Sequence, residues 1–323
     1  MGRPLIEVDN LSKRFAVMGG PLGVRTVGHV RAVDGVSFAI NEGETYALVG
    51  ESGCGKTTTA RTILRLFTPD GGQVRVEGRD VHALTGVELK EFRLAVQAVF
   101  QDPWASLNPR MRAGTLIAEA LKANRRVSKA ETKARVAALL ERVGFPAWKA
   151  DLYPHEFSGG QRQRIALASA LITDPKLIVL DEPVSALDLS VQAQVINLLK
   201  DIQAELQTTF LIISHDLDTV RYVADRVGVM YLGQLVEETR AEELFEHAKH
   251  PYTRALLASR LALHPSERGE GAPVIGEAPS PMEPPSGCRF RTRCPHAMEI
   301  CEQVPTMVQL DVGHTVACHL YSQ

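Results

Sequence analysis

Short apolar runs alternate with longer amphipathic stretches along most of this chain. Residues 45–49, 177–180 and 210–213 are largely apolar, which is typical of strands buried on both faces of a parallel sheet. Apolar residues recur at helical spacing over residues 57–67, 113–145, 158–171 and 191–206, and these stretches predict helices. This alternation predicts an α/β fold with a mostly parallel sheet and ligands at the carboxyl ends of its strands.

The two ends of the chain have a different pattern. Residues 5–9 and 36–40 predict short strands, and the glycine-rich segment 18–30 between them predicts an exposed loop or hairpin. Residues 73–100 predict further strands around a helix. The texture changes near residue 246, and residues 264–287 are rich in Pro, Gly, Glu and Ser, as in a linker.

Composition narrows the class of protein. The chain has 323 residues, of which 45% are hydrophobic and 23% charged, with a formal net charge of −2. This balance gives no electrostatic footprint for nucleic acid. No run approaches the roughly 18 apolar residues of a membrane span, and the first residues lack the apolar segment of a signal peptide. We expect a cytosolic chain whose membrane contact goes through a partner.

A phosphate-binding loop follows the strand predicted at residues 45–49. Residues 50–57 fit the pattern G-x-x-x-x-G-K-[ST], in which glycines let backbone N–H groups converge on phosphate oxygens. A chance glycine-rich turn is the alternative, and the flanking strand and helix disfavour it. Lys56 is expected on the β- and γ-phosphates and Thr57 on Mg²⁺, while Cys54 occupies a variable position. The predicted nucleotide-binding residues here are Gly50, Glu51, Ser52, Gly53, Cys54, Gly55, Lys56, Thr57 and Thr58.

Two carboxylates end the strand predicted at residues 177–180. Asp181 is a candidate Mg²⁺ ligand, and Glu182 is a candidate general base for an attacking water. An Asp-Glu pair at a strand end also occurs in solvated turns. Beside a phosphate loop, the pair indicates nucleotide hydrolysis.

A second glycine motif precedes these carboxylates. It consists of Ser158, Gly159, Gly160 and Gln161 after Phe157, and Ser158 is a plausible helix N-cap. With the phosphate loop, this order resembles the ATP-binding cassette (ABC) ATPases, head-to-tail dimers that hold ATP between the loop of one subunit and the signature motif of the other. The signature residues are then expected to bind the γ-phosphate of the opposing subunit's ATP.

The resemblance implies a domain organisation. It predicts a RecA-like P-loop core with an antiparallel β subdomain and a helical subdomain, plus a cysteine-bearing C-terminal extension. The expected limits are 1–103 for the first part of the core with the β subdomain, 104–157 for the helical subdomain, 158–245 for the second part of the core, and 246–323 for the extension.

Four further roles follow from the resemblance alone. Gln101 is expected near the γ-phosphate and Mg²⁺, and His215 as the switch histidine; both are predicted catalytic residues beside Glu182. Asp188 is expected in the D-loop at the dimer interface. Phe15 is expected to stack on adenine, with a core phenylalanine as the alternative.

Three further segments, residues 101–110, 185–194 and 250–257, resemble the ATPases of oligopeptide/dipeptide importers, and the loop before residue 32 is similar to their F-type member. Ser169 departs from the family, which usually has Arg there. The resemblance implies a D-type ATPase partner, two transmembrane permease subunits, an extracytoplasmic substrate-binding protein, no nucleic acid, and a peripheral position on the cytoplasmic face of the inner membrane. The alternatives are a soluble ABC ATPase acting on ribosomes or nucleic acid, and a redox or iron-sensing protein with a borrowed cassette.

The remaining cysteines, Cys288, Cys294, Cys301 and Cys318, cluster near the C-terminus. They contain no C-x2-C pair of a zinc ribbon, and four cysteines with varied spacing suit an iron–sulfur cluster. The resemblance favours a [4Fe-4S] cluster, with zinc or free thiols as alternatives. Three arginines are expected to offset the negative charge of such a cluster: Arg289, Arg291 and Arg293. Three histidines are candidate substitute ligands, with surface residues as the alternative: His296, His314 and His319.

Overall fold

The computed structural model describes residues 4–19, 25–101, 107–185, 187–259 and 279–322. Residues 102–106, residue 186 and much of the predicted linker 264–287 lie outside these ranges. The chain divides into two compact units. Residues 1–5, 40–45 and 76–213 belong to the first, and residues 6–39, 46–75 and 214–323 belong to the second.

The secondary structure follows the alternation seen in the sequence. The strands of the described part are, in chain order, β1 (Pro4–Gly19), β2 (Arg25–Asn41), β3 (Thr45–Val49), β4 (Gly71–Val76), β5 (Arg79–Asp80), β6 (Val96–Val99), β7 (Leu177–Asp181), β8 (Thr209–Ile213), β9 (Arg226–Tyr231), β10 (Gln234–Arg240), β11 (Val308–Asp311) and β12 (His314–Val316). The helices are α1 (Lys56–Ile63), α2 (Gly86–Ala95), α3 (Ala113–Asn124), α4 (Lys129–Arg142), α5 (Gly159–Leu171), α6 (Leu189–Leu206), α7 (Leu217–Val223), α8 (Ala241–His247) and α9 (Pro251–Ala258).

The first unit contains parallel strands in the order β8, β7, β6. Leu177 of β7 pairs with Val96 on one side and with Thr209 on the other. Every residue of β7 and β8 is buried, as expected for parallel strands covered on both faces. The strands predicted at residues 177–180 and 210–213 are therefore confirmed.

The predicted helical stretch at residues 113–145 consists of two helices, α3 and α4. The Ser128 side chain accepts the backbone N–H of Glu131 at 3.1 Å and caps the start of α4. Gly144 adopts a left-handed conformation with φ 81° directly after the helix. The helix stop predicted at Gly144 is thus confirmed, while the interruption before Ser128 was not predicted.

The second unit contains β2, β1 and β4 as neighbours in one sheet. β1 runs on to Gly19 and β2 begins at Arg25, so the strands predicted at residues 5–9 and 36–40 were much too short. The described parts of segment 18–30, predicted as an exposed loop or hairpin, are strand, and residues 25–27 are exposed.

The other strands of the second unit follow the order β11, β12, β10, β9, β3. β3 and β9 are parallel, with Tyr46 opposite Arg226, whereas the remaining neighbours are antiparallel. Val316 of β12 pairs with Glu237 of β10. The C-terminal extension therefore continues a sheet of this unit, which the sequence did not predict. No helix in the described ranges has both the length and the apolar character to cross a membrane.

Candidate functional site

The glycine loop joins β3 to α1 in the second unit. Gly50 and Gly55 have φ angles of 146° and 109°, in the left-handed region that favours glycine. A Cβ at Gly50 would overlap the carbonyl oxygen of Met230, and a Cβ at Gly55 would overlap that of Ala32. These two positions therefore admit only glycine. Ser52 and Gly53, at the outer part of the loop, are exposed.

Lys56 turns back onto its own loop. Its Nζ atom donates to the carbonyl oxygens of Gly50 at 2.7 Å and Glu51 at 3.0 Å. The side chain is buried at 6% exposure, and the Cys54 sulfur lies 3.7 Å from Nζ. Burial raises the pKa of the Cys54 thiol, so it stays protonated at neutral pH. Cys54 accordingly lines the loop as a neutral group.

Two threonines and a phenylalanine complete the predicted contacts of this unit. Thr57 and Thr58 lie in the first turn of α1 and are half-buried, where a helix N-terminus favours anions. Phe15 lies on β1, half-buried, with its ring 5.2 Å from the ring of Phe67 in an edge-to-face arrangement. Its adenine-stacking role stays a prediction.

Gln101 and Glu182 meet in the first unit. The Nε2 atom of Gln101 donates to the Oε2 atom of Glu182 at 2.8 Å. Asp181 is buried at 6% exposure as the last residue of β7. Glu182 has φ 50°, an unusual conformation for a residue with a side chain that clusters at functional sites. Its N–H is fixed by the carbonyl oxygen of Ile213 at 2.9 Å.

The second glycine motif opens α5 with reciprocal capping bonds. The N–H of Gln161 donates to Ser158 Oγ at 3.4 Å, and the N–H of Ser158 donates to Gln161 Oε1 at 3.1 Å. Ser158 and Gly159 are exposed, whereas Gly160 is buried against Val191. The predicted N-cap is confirmed, and the motif presents a helix N-terminus to solvent.

Two predicted site residues stand at element boundaries. Asp188 precedes α6 as its N-cap residue and is exposed, without a capping bond from its side chain. His215 comes two residues after the end of β8 and is also exposed. The part of each residue in catalysis stays a prediction.

The four C-terminal cysteines form no disulfide bonds, and they line one small cavity of about 10 Å³. The backbone N–H of His296 donates to the Cys294 sulfur at 3.4 Å, and that of Met298 to the Cys301 sulfur at 3.5 Å. Burial raises the pKa of Cys288 and Cys294, and it raises that of Cys318 to about 11. Within the described ranges, however, no group of three or more His, Cys, Asp or Glu residues is arranged to hold a metal ion. This arrangement therefore gives the predicted [4Fe-4S] cluster no support.

Three of the six arginines and histidines expected near the cysteines have partners elsewhere in the second unit. Arg289 is buried and pairs with Asp34, and Arg293 pairs with Glu51. His314 is hydrogen-bonded through Nε2 to the buried Glu237 at 2.8 Å. These side chains connect the extension to the rest of the second unit. The other three residues, Arg291, His296 and His319, line the same cavity as the four cysteines, and the roles expected of the arginines and histidines beside a cluster stay predictions.

Two family patterns match the chain. The ABC transporter pattern matches residues 33–185, and that of the oligopeptide/dipeptide transporter C-terminal region matches residues 236–301. The chain is 50% identical over 322 residues to the oligopeptide transport ATP-binding protein AppF of Bacillus subtilis, covering 98% of both chains. The chain belongs to the ABC transporter family. It is an ATP-binding subunit of the oligopeptide/dipeptide type.

Other relatives and solved structures agree. The putative oligopeptide transport ATP-binding protein YkfD of Bacillus subtilis is 48% identical over 98% of this chain and 96% of its own. The ABC MJ0796 dimer in a post-hydrolysis state with ADP and Pi is 28% identical, with a TM-score of 0.64 over 73% of this chain and 98% of its own. The cbiO1 subunit of Clostridium perfringens is 27% identical, with a TM-score of 0.64 over 76% and 91%.

Membership of the ABC family confirms the predicted α/β cassette fold and makes the chain an ATPase, for which ATP and Mg²⁺ are expected. The alternatives of a ribosome- or nucleic-acid-directed ATPase and of a redox sensor are not favoured, because the full-length relatives are named as transport proteins.

Sequence reasoning missed two residues that contact the phosphate loop of this ABC ATPase. Tyr252 and Arg293, both in the extension, bond Glu51. Tyr252 stood in a segment that marked the peptide-importer resemblance, and Arg293 stood beside Cys294. No local pattern indicated that either would reach a residue about 200 positions earlier.

Proposed function

We propose that this ABC ATPase powers the uptake of dipeptides, oligopeptides or similar small solutes. It would work at the cytoplasmic face of the inner membrane with two permease subunits, a D-type ATPase partner and, indirectly, an extracytoplasmic substrate-binding protein. One observation carries the proposal: similarity to a named oligopeptide transport protein covers 98% of the chain and so includes the extension. The proposed domain limits are residues 1–103, 104–157, 158–245 and 246–323.

The loop chemistry suits a nucleoside triphosphate. In the proposal, Lys56 exchanges its bonds to the carbonyl oxygens of Gly50 and Glu51 for bonds to the β- and γ-phosphates. The hydrogen bonds of Nζ to both carbonyl oxygens support this role, because they place the ammonium group at the loop before the phosphates bind. Thr57, Gln101 and Asp181 would hold Mg²⁺, which supplies charge neutralisation when bound.

The hydrogen bond between Gln101 and Glu182 supports a role in hydrolysis. The amide holds one carboxylate oxygen at 2.8 Å, and an ionised carboxylate is a group that can take a proton from water. Glu182 would then act as general base, with Gln101 orienting it and His215 contacting the γ-phosphate. The exposed start of α5 at Ser158 and Gly159 would complete the ATP site of the partner ATPase, with Asp188 at the same interface.

Peptide uptake tests the proposal directly. In cells lacking the gene, the wild-type chain should restore accumulation of a labelled dipeptide or tripeptide, and Lys56→Ala should not. Wild-type and variant abundance is compared by immunoblot as a control. If the wild-type chain is present and hydrolyses ATP but the accumulation of labelled peptides stays at background, then peptides are not the substrate.

We also propose that Cys288, Cys294, Cys301 and Cys318 ligate a [4Fe-4S] cluster. Support comes from their common cavity and from the N–H groups aimed at the sulfurs of Cys294 and Cys301. Anaerobically purified wild type should contain near-stoichiometric iron and sulfide and show an absorption band at about 400 nm. Cys294→Ser should lose them, and Cys54→Ser, outside the cluster, should keep them. Zinc or no metal in the wild type would refute the cluster.

A further inference from the structure

Two residues of the C-terminal extension contact Glu51 in the phosphate loop. The hydroxyl of Tyr252 accepts the backbone N–H of Glu51 at 2.8 Å. The Arg293 guanidinium donates to both carboxylate oxygens of Glu51, at 3.1 Å and 3.2 Å. We propose that Arg293 and Tyr252 are positioning residues for the nucleotide: they hold the first turn of the phosphate loop in its binding conformation. This inference rests on the proposed role of the loop in binding ATP.

Both Arg293 and Tyr252 are buried and packed against aromatic rings. The Arg293 side chain is 8% exposed, and its guanidinium lies 5.9 Å from the Tyr231 ring centroid and 5.8 Å from that of Phe290. It also donates to the Tyr231 hydroxyl at 3.3 Å. Tyr252 is fully buried, with its ring 4.5 Å from the ring of Tyr231. Such packing fixes both donors and acceptors in space before a ligand arrives.

The position of Glu51 affects the neighbouring groups that are proposed to bind phosphate, namely the loop backbone and Lys56. It follows Gly50, whose backbone admits no side chain, and its carbonyl oxygen accepts from Lys56 at 3.0 Å. Release of the Glu51 N–H and carboxylate would let the backbone between Gly50 and Lys56 shift. Because the loop binds phosphate through backbone N–H groups, a small shift weakens several bonds together.

Charge supports the same assignment. Glu51 places a carboxylate, 33% exposed, at the start of a loop that binds a polyanion. Its bidentate pair with Arg293 neutralises that charge, and without the arginine the carboxylate would repel the phosphates. Arg293 therefore acts on affinity twice, through the loop backbone and through its charge. The residue next to it is Cys294, so the segment that carries a cluster cysteine also holds the loop.

Equilibrium binding of a fluorescent ATP analogue to the full-length chain, purified anaerobically, tests the proposal. Arg293→Ala should raise Kd roughly three- to tenfold, as for coupling between contacting residues, and Arg293→Lys should recover part of this. Arg254→Ala is the matched control, because this exposed arginine of the extension bonds Ala248 and Tyr321. It should bind as tightly as wild type.

Two further variants keep the test decisive. Glu51→Gln in the Arg293→Ala background should restore part of the affinity, because it removes the unpaired charge. Tyr252→Phe should raise Kd with the melting temperature nearly unchanged, since it removes only the hydroxyl. A wild-type Kd for Arg293→Ala would overturn the positioning role of Arg293, and a wild-type Kd for Tyr252→Phe would overturn that of Tyr252. Purely additive effects of the Glu51 and Arg293 changes would also overturn the role of Arg293.

Lys56→Ala separates this inference from the proposed function. If wild type binds the analogue, Lys56→Ala does not, and Arg293→Ala binds as wild type, then only the positioning role is refuted. If wild type fails to bind the analogue, the proposed role of the loop fails and the inference fails with it.

Discussion

His250 should make this protein less stable in mild acid. The side chain is 1% exposed at the start of α9, and its Nδ1 atom accepts the backbone N–H of Tyr252 at 3.0 Å. Burial lowers the pKa of His250 from 6.5 to about 4, although the charge of Glu237 opposes the shift. The imidazole must be neutral in this position, because it is buried away from water and because its Nδ1 atom accepts a hydrogen bond.

The sign follows from proton uptake. Between about pH 6.5 and about pH 4 the unfolded chain protonates His250 and the folded chain does not, so the free energy of unfolding falls as pH decreases. With these two pKa values, the loss between pH 7 and pH 5 is roughly 2 kcal/mol, worked from proton linkage. It is complete only below the folded-state pKa.

His250→Asn isolates the effect. Asparagine can still accept the Tyr252 N–H as an N-cap but does not titrate. Urea unfolding followed by circular dichroism, from pH 7 to pH 5, should show a smaller decline for the variant, by roughly 2 kcal/mol. A constant offset from lost packing against Phe290 is expected at every pH. Parallel pH profiles for wild type and variant would refute the reasoning.

The remaining predictions concern the catalytic carboxylate and the signature helix. Glu182→Gln should slow phosphate release roughly a hundredfold or more while nucleotide binding persists, because a general base is lost; unchanged turnover would exclude Glu182 as the base. Gly160→Ala should destabilise the protein by about 1 to 3 kcal/mol, because its Cβ would overlap Val191. The matched control Gly159→Ala meets only Leu187 at 3.6 Å, so thermal unfolding should separate the two, and equal melting temperatures would contradict the packing argument.

Motifs and helix ends could be predicted from the sequence where all the residues that form them lie in one short segment. The phosphate loop, the Ser158 cap and the stop at Gly144 each depend on residues within a few positions, so glycine spacing and capping patterns predict them. Strand length was not predictable in the same way. β1 extends to Gly19 beside its sheet neighbour β2, and the choice of partner strand is not encoded in either strand alone.

Contacts between residues far apart in the sequence also could not be predicted from local patterns. The pairs Arg293 with Glu51 and Arg289 with Asp34 join segments separated by 242 and 255 residues. Their arginines lie beside cysteines in the sequence, which favoured a local interpretation of their charge. Only the folded extension shows that their partners lie in the N-terminal part of the chain.

The hairpin of β11 and β12 covers the outer edge of β10, where Val316 lies opposite Glu237. A chain shortened before residue 279 would expose the unpaired N–H and C=O groups of β10 as a template for another strand. It would also remove the hydrogen bond of His314 to the fully buried Glu237, whose carboxylate would keep only the donors of its own segment, including the backbone N–H groups of Lys249 and His250. We therefore expect a truncated chain to self-associate rather than to form a smaller soluble cassette.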